Sequence, residues 1–156
     1  EELAQRMRSD ASVLDVGFGS GILSIASLKL GSGLVAAVDI DPQAVAVAED
    51  NYQVNGLHHA DYELIEGNIM TDTALQQGLA MQEYSIVVAN ILAEVIAPLT
   101  AMVDKFMADD GLFIASGIID DKETLCAEAV KANPNLELVD IAHDGDWVRI
   151  IARKVS

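Results

Sequence analysis

Three closely spaced glycines, Gly17, Gly19 and Gly21, stand between two apolar segments in the stretch SVLDVGFGSGIL. Glycine costs conformational entropy on folding, so this cluster indicates a backbone that must turn sharply or be approached closely. The run before the turn predicts a strand, and the apolar run after it predicts a helix. Since the first N–H groups of a helix have no partner inside the helix, the turn predicts a ligand site.

The rest of the chain repeats this order of strand and helix. Strand-like runs lie at residues 13–16, 35–39, 62–65, 85–89 and 112–116, and helical patterns lie at 21–30, 42–55, 73–81, 95–107 and 121–132. This alternation indicates βα units on a parallel sheet with helices on both faces. Asp41 followed by Pro42 predicts a capped helix start, and the spacing of Thr73 and Gln76 predicts another.

The end of the chain breaks this rhythm. Strand-like runs at residues 136–142 and 147–153 are separated only by HDGD, which leaves no room for a crossover helix. Asp144-Gly145 is a strong hairpin signal, so we expect the last two strands to be antiparallel. The sequence thus predicts one Rossmann-like α/β domain over residues 1–156, with a seven-stranded, mostly parallel sheet that closes in a C-terminal antiparallel hairpin.

Charge and composition argue against several classes of function. The 156 residues include 25 acidic and 9 basic side chains, a net charge of −16, which argues against nucleic-acid binding. Such a charge either suits a basic protein partner or simply keeps the domain soluble. We expect no membrane span and no signal peptide. The single cysteine, Cys126, fits a reducing compartment, so we expect a cytoplasmic protein.

Two classes of cofactor use a glycine-rich turn of this kind. Dinucleotide sites have GxGxxG or GxGxxA, but Ile22 holds the last position here, and its branched side chain would spoil the close contact of helix and strand. The pattern present is GxGxG, preceded by Asp15. Asp39, at the end of the second strand, can accept hydrogen bonds from both hydroxyls of a ribose. Asn68 follows the third strand in the sequence EGN.

These features resemble motif I and its neighbouring motifs in class I S-adenosylmethionine-dependent methyltransferases. Several segments are similar to one bacterial family in particular, the PrmA methyltransferases of ribosomal protein eleven of the large subunit. They are VLDVGFGSGILSIASLKLG, VDIDPQAV, VVANILAEVI, SGIIDDKE and DWVRIIARK. The resemblance spans nearly the whole chain. It implies that S-adenosylmethionine contacts Asp15, Gly17, Gly19, Gly21, Asp39, Asn68 and Asn90.

The resemblance also implies a substrate and a catalytic residue. The chain would be the catalytic domain of a protein N-methyltransferase that acts on lysine side-chain or N-terminal α-amines of that stalk-base protein. Asn90 matches the Asn of the superfamily motif N/D-P-P-Y/F and would orient the amine, although residues 91–93 do not match. We expect a monomer without metal. The family's amino-terminal recognition domain and a Thr-bearing cofactor segment lie outside these residues, and Phe18 replaces the usual Thr or Cys.

Three other functions stay open: a methyltransferase for another protein or a small-molecule amine, a nicotinamide-dependent dehydrogenase domain, and a module that binds cofactor without turnover. The remaining residues of chemical interest have simpler interpretations. His58 and His59 are neighbours in a loop and do not converge as metal ligands would. We expect Cys126 to be a small buried side chain on a helix and Trp147 to pack in the core of the hairpin.

Overall fold

The computed structural model describes residues 2–155. The chain divides into two compact units, residues 1–77 and 78–156. Its seven strands form one sheet, which is mostly parallel and ends in an antiparallel hairpin. The predicted fold class is thereby confirmed. Among the described residues, no helix has the length and apolar character needed to cross a membrane.

The first unit opens with a short helix that the sequence analysis missed and then alternates strands with helices. Its elements are α1 (Glu2–Arg6), β1 (Ser12–Val16), α2 (Ile22–Lys29), β2 (Leu34–Asp39), α3 (Pro42–Val54) and β3 (Tyr62–Glu66), and α4 (Thr73–Ala80) leads into the second unit. The strands are parallel in the order β3-β2-β1, with Val35 opposite Val13 and Tyr62. Val13 and Val35 are fully buried, as expected for strands covered on both faces.

The second unit contains the antiparallel part of the sheet. Its elements are β4 (Tyr84–Asn90), α5 (Ala93–Thr100), β5 (Met107–Ile119), α6 (Glu123–Ala132), β6 (Leu136–Asp144) and β7 (Trp147–Lys154). The strand order is β4-β5-β7-β6, with β4 and β5 parallel and β7 antiparallel to both of its neighbours. The β7 residues Ile150 and Ile151 are buried in the centre of this unit.

The predicted hairpin is confirmed, with its turn one residue later than expected. Asp144 pairs with Trp147, so the loop residues are Gly145 and Asp146. Gly145 has φ 58°, which fits a type II′ turn because that turn needs a positive φ at its first loop residue. The expectation that Trp147 packs in the core is wrong, since its residue is 57% exposed at the strand end, opposite the partly exposed Ile119.

Two predicted helix boundaries also need correction. Asp41 caps α3 as predicted, since its carboxylate accepts a hydrogen bond from the Gln43 N–H at 2.9 Å. At α4, however, Asp72 takes the place predicted for Thr73, and its carboxylate accepts from the Leu75 N–H at 3.0 Å. The Asp72 carboxylate thus binds a first-turn N–H from one residue earlier than Thr73, so the expected capping box is not used.

The helix predicted over residues 95–107 ends early, at Thr100, and a separate 3₁₀ turn covers Val103–Phe106. The Thr100 hydroxyl donates to the Ile96 carbonyl at 2.8 Å, and the Thr100 carbonyl accepts from the Asn133 side chain at 2.9 Å. Asn133 also donates to the Asp104 carboxylate at 2.8 Å. The helix therefore ends where a buried amide from the end of α6 replaces the next helical donor.

Asn133 should contribute strongly to the stability of the second unit. We expect Asn133→Ala to lower the free energy of unfolding by about 2–3 kcal/mol, because it removes these bonds and leaves the Thr100 carbonyl buried without its donor. The exposed Asn135 also donates to Asp104, at 2.8 Å, so Asn135→Ala is the control and should cost less than about 1 kcal/mol. Urea denaturation followed by far-UV circular dichroism measures both, and equal losses would contradict this assignment.

Candidate functional site

The glycine turn between β1 and α2 needs two of its glycines for different reasons. Gly19 and Gly21 have φ values of 53° and 80°. A Cβ on Gly21 would lie 2.9 Å from the Tyr52 ring and 3.2 Å from the Ala48 Cβ, so this glycine allows α3 to pack closely. A Cβ on Gly19 would have no atom within 4 Å, so this side of the turn is open. The missing side chain at Gly19 therefore lets a ligand approach the backbone.

Bonds from the neighbouring elements hold the turn in place. The Gly17 N–H donates to the Val38 carbonyl at 2.7 Å, which continues the pairing of β1 with β2. The Asn51 side chain on α3 donates to the Ser20 carbonyl at 2.8 Å. Sequence reasoning missed Asn51, because nothing in the local pattern of α3 indicates which loop its exposed face meets.

Asp39 lies at the carboxyl end of β2 and binds the turn directly. One carboxylate oxygen accepts from the Gly19 N–H at 2.8 Å, and the other accepts from the Asp41 N–H at 2.9 Å. A carboxylate has about four lone-pair positions, so both oxygens keep acceptor capacity for ligand hydroxyls. Asp39 therefore fixes the open side of the turn while it stays able to bind a ligand.

Asp15 is buried and bonded to α2, and its contact with the cofactor stays a prediction. Its residue is 1% exposed and is the fourth of the five residues of β1. One carboxylate oxygen accepts from both the N–H and the hydroxyl of Ser24 in the first turn of α2, at 3.1 and 2.6 Å. Burial raises the pKa of Asp15 to about 6, partly offset by the Ser24 hydrogen bonds. Asp15 thus acts by holding the start of α2 against β1.

The start of α2 has N–H groups to offer a ligand. The Ser24 N–H is bound by Asp15, and the Ile25 N–H begins the helical pattern by donating to the Gly21 carbonyl at 2.8 Å. Ile22 and Leu23 lie in the first turn, where a helix itself supplies no acceptor. Ile22 is 67% exposed, so the steric argument that its side chain disturbs a contact of helix and strand is wrong.

Asn68 forms the turn that follows β3. Its side-chain oxygen accepts from the Met70 N–H at 2.9 Å, and its carbonyl accepts from the N–H groups of Thr71 and Asp72 at 3.1 and 2.9 Å. This arrangement is a local Asx turn. The side chain is half-buried, and a role beside an adenine stays a prediction.

Asn90 belongs to the second unit. It is the last residue of β4, is exposed, and pairs in register with Ser116 of β5. Its amide oxygen lies directly over Gly117, the residue that follows Ser116. The carboxyl end of a parallel strand is where α/β proteins commonly bind ligands, so the position suits the predicted role in orienting an amine.

The residues set aside in the sequence analysis have structural roles. Phe18 is 4% exposed, so the side chain that replaces the family's usual Thr or Cys belongs to the core. Cys126 is buried on α6 as predicted, and burial raises the pKa of its thiol. His59 contacts the Glu49 carboxylate at 2.9 Å, and the described residues contain no group of three or more metal-ligating side chains.

Comparison with known proteins agrees with this arrangement. A profile described as ribosomal protein L11 methyltransferase (PrmA) matches residues 1–155. The chain belongs to the PrmA family. A ribosomal protein L11 methyltransferase from Lachnospira eligens is 45% identical over 154 residues, which cover 99% of this chain and 48% of that protein. One from Agathobacter rectalis is 45% identical, covering 93% of this chain and 45% of the relative. The chain thus spans about half the length of these curated relatives.

Solved structures agree with the PrmA assignment. The structure of a ribosomal protein L11 methylase from Lactobacillus delbrueckii subsp. bulgaricus has a TM-score of 0.86 and 29% identity, covering 99% of this chain and 75% of the other. A fibrillarin pre-rRNA processing protein from Methanococcus jannaschii has a TM-score of 0.77 at 14% identity, covering 95% and 68% of the two chains. At that identity the second comparison shows the shared fold alone.

Because Asp15 is buried, we expect the stability of this PrmA chain to depend on pH. The pKa of Asp15 rises from 3.8 in the unfolded chain to about 6 in the folded one, so the folded state binds more protons between these values. The Asp15 contribution is therefore fully present below pH 4 and is lost as the pH rises through 6, by up to about 3 kcal/mol. Asp15→Asn cannot ionise and keeps an acceptor for Ser24. We expect it to become more stable relative to wild type as the pH rises from 4 to 8.

Urea denaturation at several pH values measures this difference between the two proteins. Ser24→Ala is the matched variant, because it removes the hydroxyl hydrogen bond that favours the charged carboxylate while the backbone N–H of residue 24 still donates. It should make the loss of stability with rising pH larger. Parallel stability profiles for wild type and Asp15→Asn would contradict the assignment.

Proposed function

We propose that this chain is the S-adenosylmethionine-binding catalytic part of a protein N-methyltransferase whose substrate is ribosomal protein L11. The observation that carries the proposal is the open Gly19 backbone held by the Asp39 carboxylate, in a chain of the PrmA family. The relatives from L. eligens and L. delbrueckii are named for L11 methylation. The structure of SMU.776 complexed with SAH has a TM-score of 0.78 and 14% identity to this chain, so this chain shares its fold with a protein that holds this ligand.

The residues of the first unit fit the parts of this cofactor. Asp39 offers acceptors for the two ribose hydroxyls, and the bare backbone at Gly19 leaves room beside it. The first-turn N–H groups of Ile22 and Leu23 are donors for the cofactor's carboxylate. We propose that Asn68 lies beside the adenine and that Gly17 and Gly21 contribute by shaping the turn. Asp15 supports this site by holding the start of α2, and its own contact with the cofactor stays a prediction.

The catalytic task of the chain is alignment. When bound, S-adenosylmethionine supplies a methyl group that its sulfonium charge already makes reactive. The protein therefore gains most by holding the acceptor amine in line with that methyl group. The amine must be neutral to react: near pH 7.4 a lysine with a pKa of about 10.4 costs roughly 4 kcal/mol to deprotonate, and an α-amine much less.

We propose that Asn90 positions this amine. Its exposed amide stands at the end of β4, and the amide oxygen can accept a hydrogen bond from an amine N–H and so direct the nitrogen lone pair. An amide has no basic site to remove the proton, so we propose that water takes it before the amine is enclosed. Asn90 would then set the rate through geometry, and its proposed contact with the cofactor would be secondary.

The substrate, location and assembly belong to the same proposal. We propose L11 as the stalk-base substrate, with its lysine and N-terminal amines as acceptors, and recognition by a region outside residues 1–156. A monomer in the cytoplasm is part of the proposal and rests on the resemblance and on the single buried Cys126. The alternatives are another protein or small-molecule amine as acceptor and, from a different class, a nicotinamide cofactor.

Cofactor choice is tested by calorimetric titration with S-adenosylmethionine, S-adenosylhomocysteine and NAD. We expect the first two to bind and NAD not to bind. Asp39→Ala should weaken binding by about 1.5–3 kcal/mol for each lost ribose hydrogen bond, and it also releases the Gly19 N–H. Asp41→Ala is the control: it removes a neighbouring charge and the α3 cap but should change affinity less than about twofold. Binding of NAD, or equal effects of the two substitutions, would overturn the cofactor assignment.

Turnover is tested with this chain joined to the amino-terminal half of the L. eligens relative, called here the joined protein, with L11 as acceptor. Asn90→Ala should lower kcat by about 100-fold while cofactor affinity stays nearly unchanged, because only the alignment of the amine is lost. Asn90→Asp should bind cofactor equally or more tightly and turn over more slowly, since its charge favours the protonated amine. A wild-type kcat for Asn90→Ala would exclude this role. Full activity of residues 1–156 alone would contradict the proposal that recognition of L11 needs a region outside them.

A further inference from the structure

Gly117 lies against the side-chain amide of Asn90. A Cβ on Gly117 would lie less than 3.0 Å from the Asn90 side-chain oxygen and 3.5 Å from its Cγ. Real Cβ atoms do not approach an oxygen that closely. The amide of Asn90 therefore occupies space that any other residue at position 117 would fill.

The backbone of β5 is irregular around Gly117. Ala115 pairs with Ile150 and Ile118 pairs with Val148, so two residues of β5 face one residue of β7 between these pairs. Gly117 also has φ 76°, a conformation that residues with side chains rarely adopt. A β-bulge with a left-handed glycine bends the strand locally and changes where neighbouring side chains point.

After a register shift between Tyr84 and Ile86, the pairing of β4 with β5 is regular up to Asn90. Val88, Ala89 and Asn90 pair in turn with Ile114, Ala115 and Ser116. The bulge thus begins where β4 ends, and it carries Gly117 under the Asn90 side chain. At the bulge, β5 loses its regular pairing with β7. The exposed polar side chain of Asn90 occupies the space beside Gly117.

We propose that Gly117 is a positioning residue that acts through Asn90, an inference that rests on the proposed function. Because Gly117 has no Cβ and lies in a left-handed bulge, the Asn90 amide can occupy one defined position against β5. A side chain at position 117 displaces the amide from this position, since the flexible end of Asn90 moves more easily than the paired backbone does. The amine then loses its orienting acceptor although Asn90 itself is still present.

The first test measures the position of the amide without any turnover. The side-chain amide NMR signals of Asn90 are assigned in this chain by their loss in Asn90→Ala. Gly117→Ala should shift these signals clearly. Gly56→Ala is the matched control, because Gly56 has a similar φ of 70° but an open Cβ position, and it should leave the Asn90 signals in place. Unshifted Asn90 signals in Gly117→Ala would overturn the proposal.

The second test is a double-mutant cycle on kcat in the joined protein. Gly117→Ala should lower kcat by about 10- to 100-fold with unchanged cofactor affinity, but by less than about threefold in the Asn90→Ala background. A purely structural role would give the same loss in both backgrounds and would refute positioning through Asn90. If the signals shift as expected but the unmutated joined protein does not methylate L11, the proposed function fails and the Gly117 contact stands.

Discussion

The two hydrogen bonds from Ser24 to the Asp15 carboxylate fix the geometry on which the first unit depends. They join the carboxyl end of β1 to the first turn of α2, on either side of the glycine turn. Because both ends of the turn are anchored to a buried group, the five residues from Gly17 to Gly21 have little freedom left. The cost is a carboxylate in an apolar interior, visible in its raised pKa.

Asp39 completes this arrangement from the exposed side. A turn with several left-handed glycines would lose much conformational freedom on binding a ligand, and that loss would weaken the affinity. The bonds of Asp39 to Gly19 and of Asn51 to Ser20 order the turn before any ligand arrives. The same carboxylate thus has two tasks, holding the backbone and offering acceptors, and a substitution there affects both.

A structural feature could be predicted from the sequence when the residues that cause it are neighbours in the chain. The Asp41 cap and the Gly145 hairpin follow from neighbouring residues, so their patterns are legible in the chain itself. The end of α5 depends on Asn133, which is distant in sequence, and a helical pattern of residues 95–107 contains no sign of it. The role of Ile22 was misjudged for the same kind of reason. The residue of the turn that packs closely against another element is Gly21, which lies against α3.

The candidate site shows the same division. The glycines and Asp39 are recognisable because their types and spacing carry the chemistry. Asp15 is equally recognisable as a motif residue, but its depth in the sheet is a property of the folded state. Gly117 lies within a segment that resembles the family and yet no pattern marks it, since its importance comes from a side chain on another strand.

The exposed position of Trp147 determines what the intrinsic fluorescence of this protein reports. It is the only tryptophan in the chain, and more than half of its surface meets water in the folded state. Its emission therefore starts close to that of a solvated indole, and unfolding shifts the wavelength little. The same property makes it a selective optical probe, because an object that covers the tip of the β6–β7 hairpin would move its emission to shorter wavelength while the rest of the fold stays optically silent.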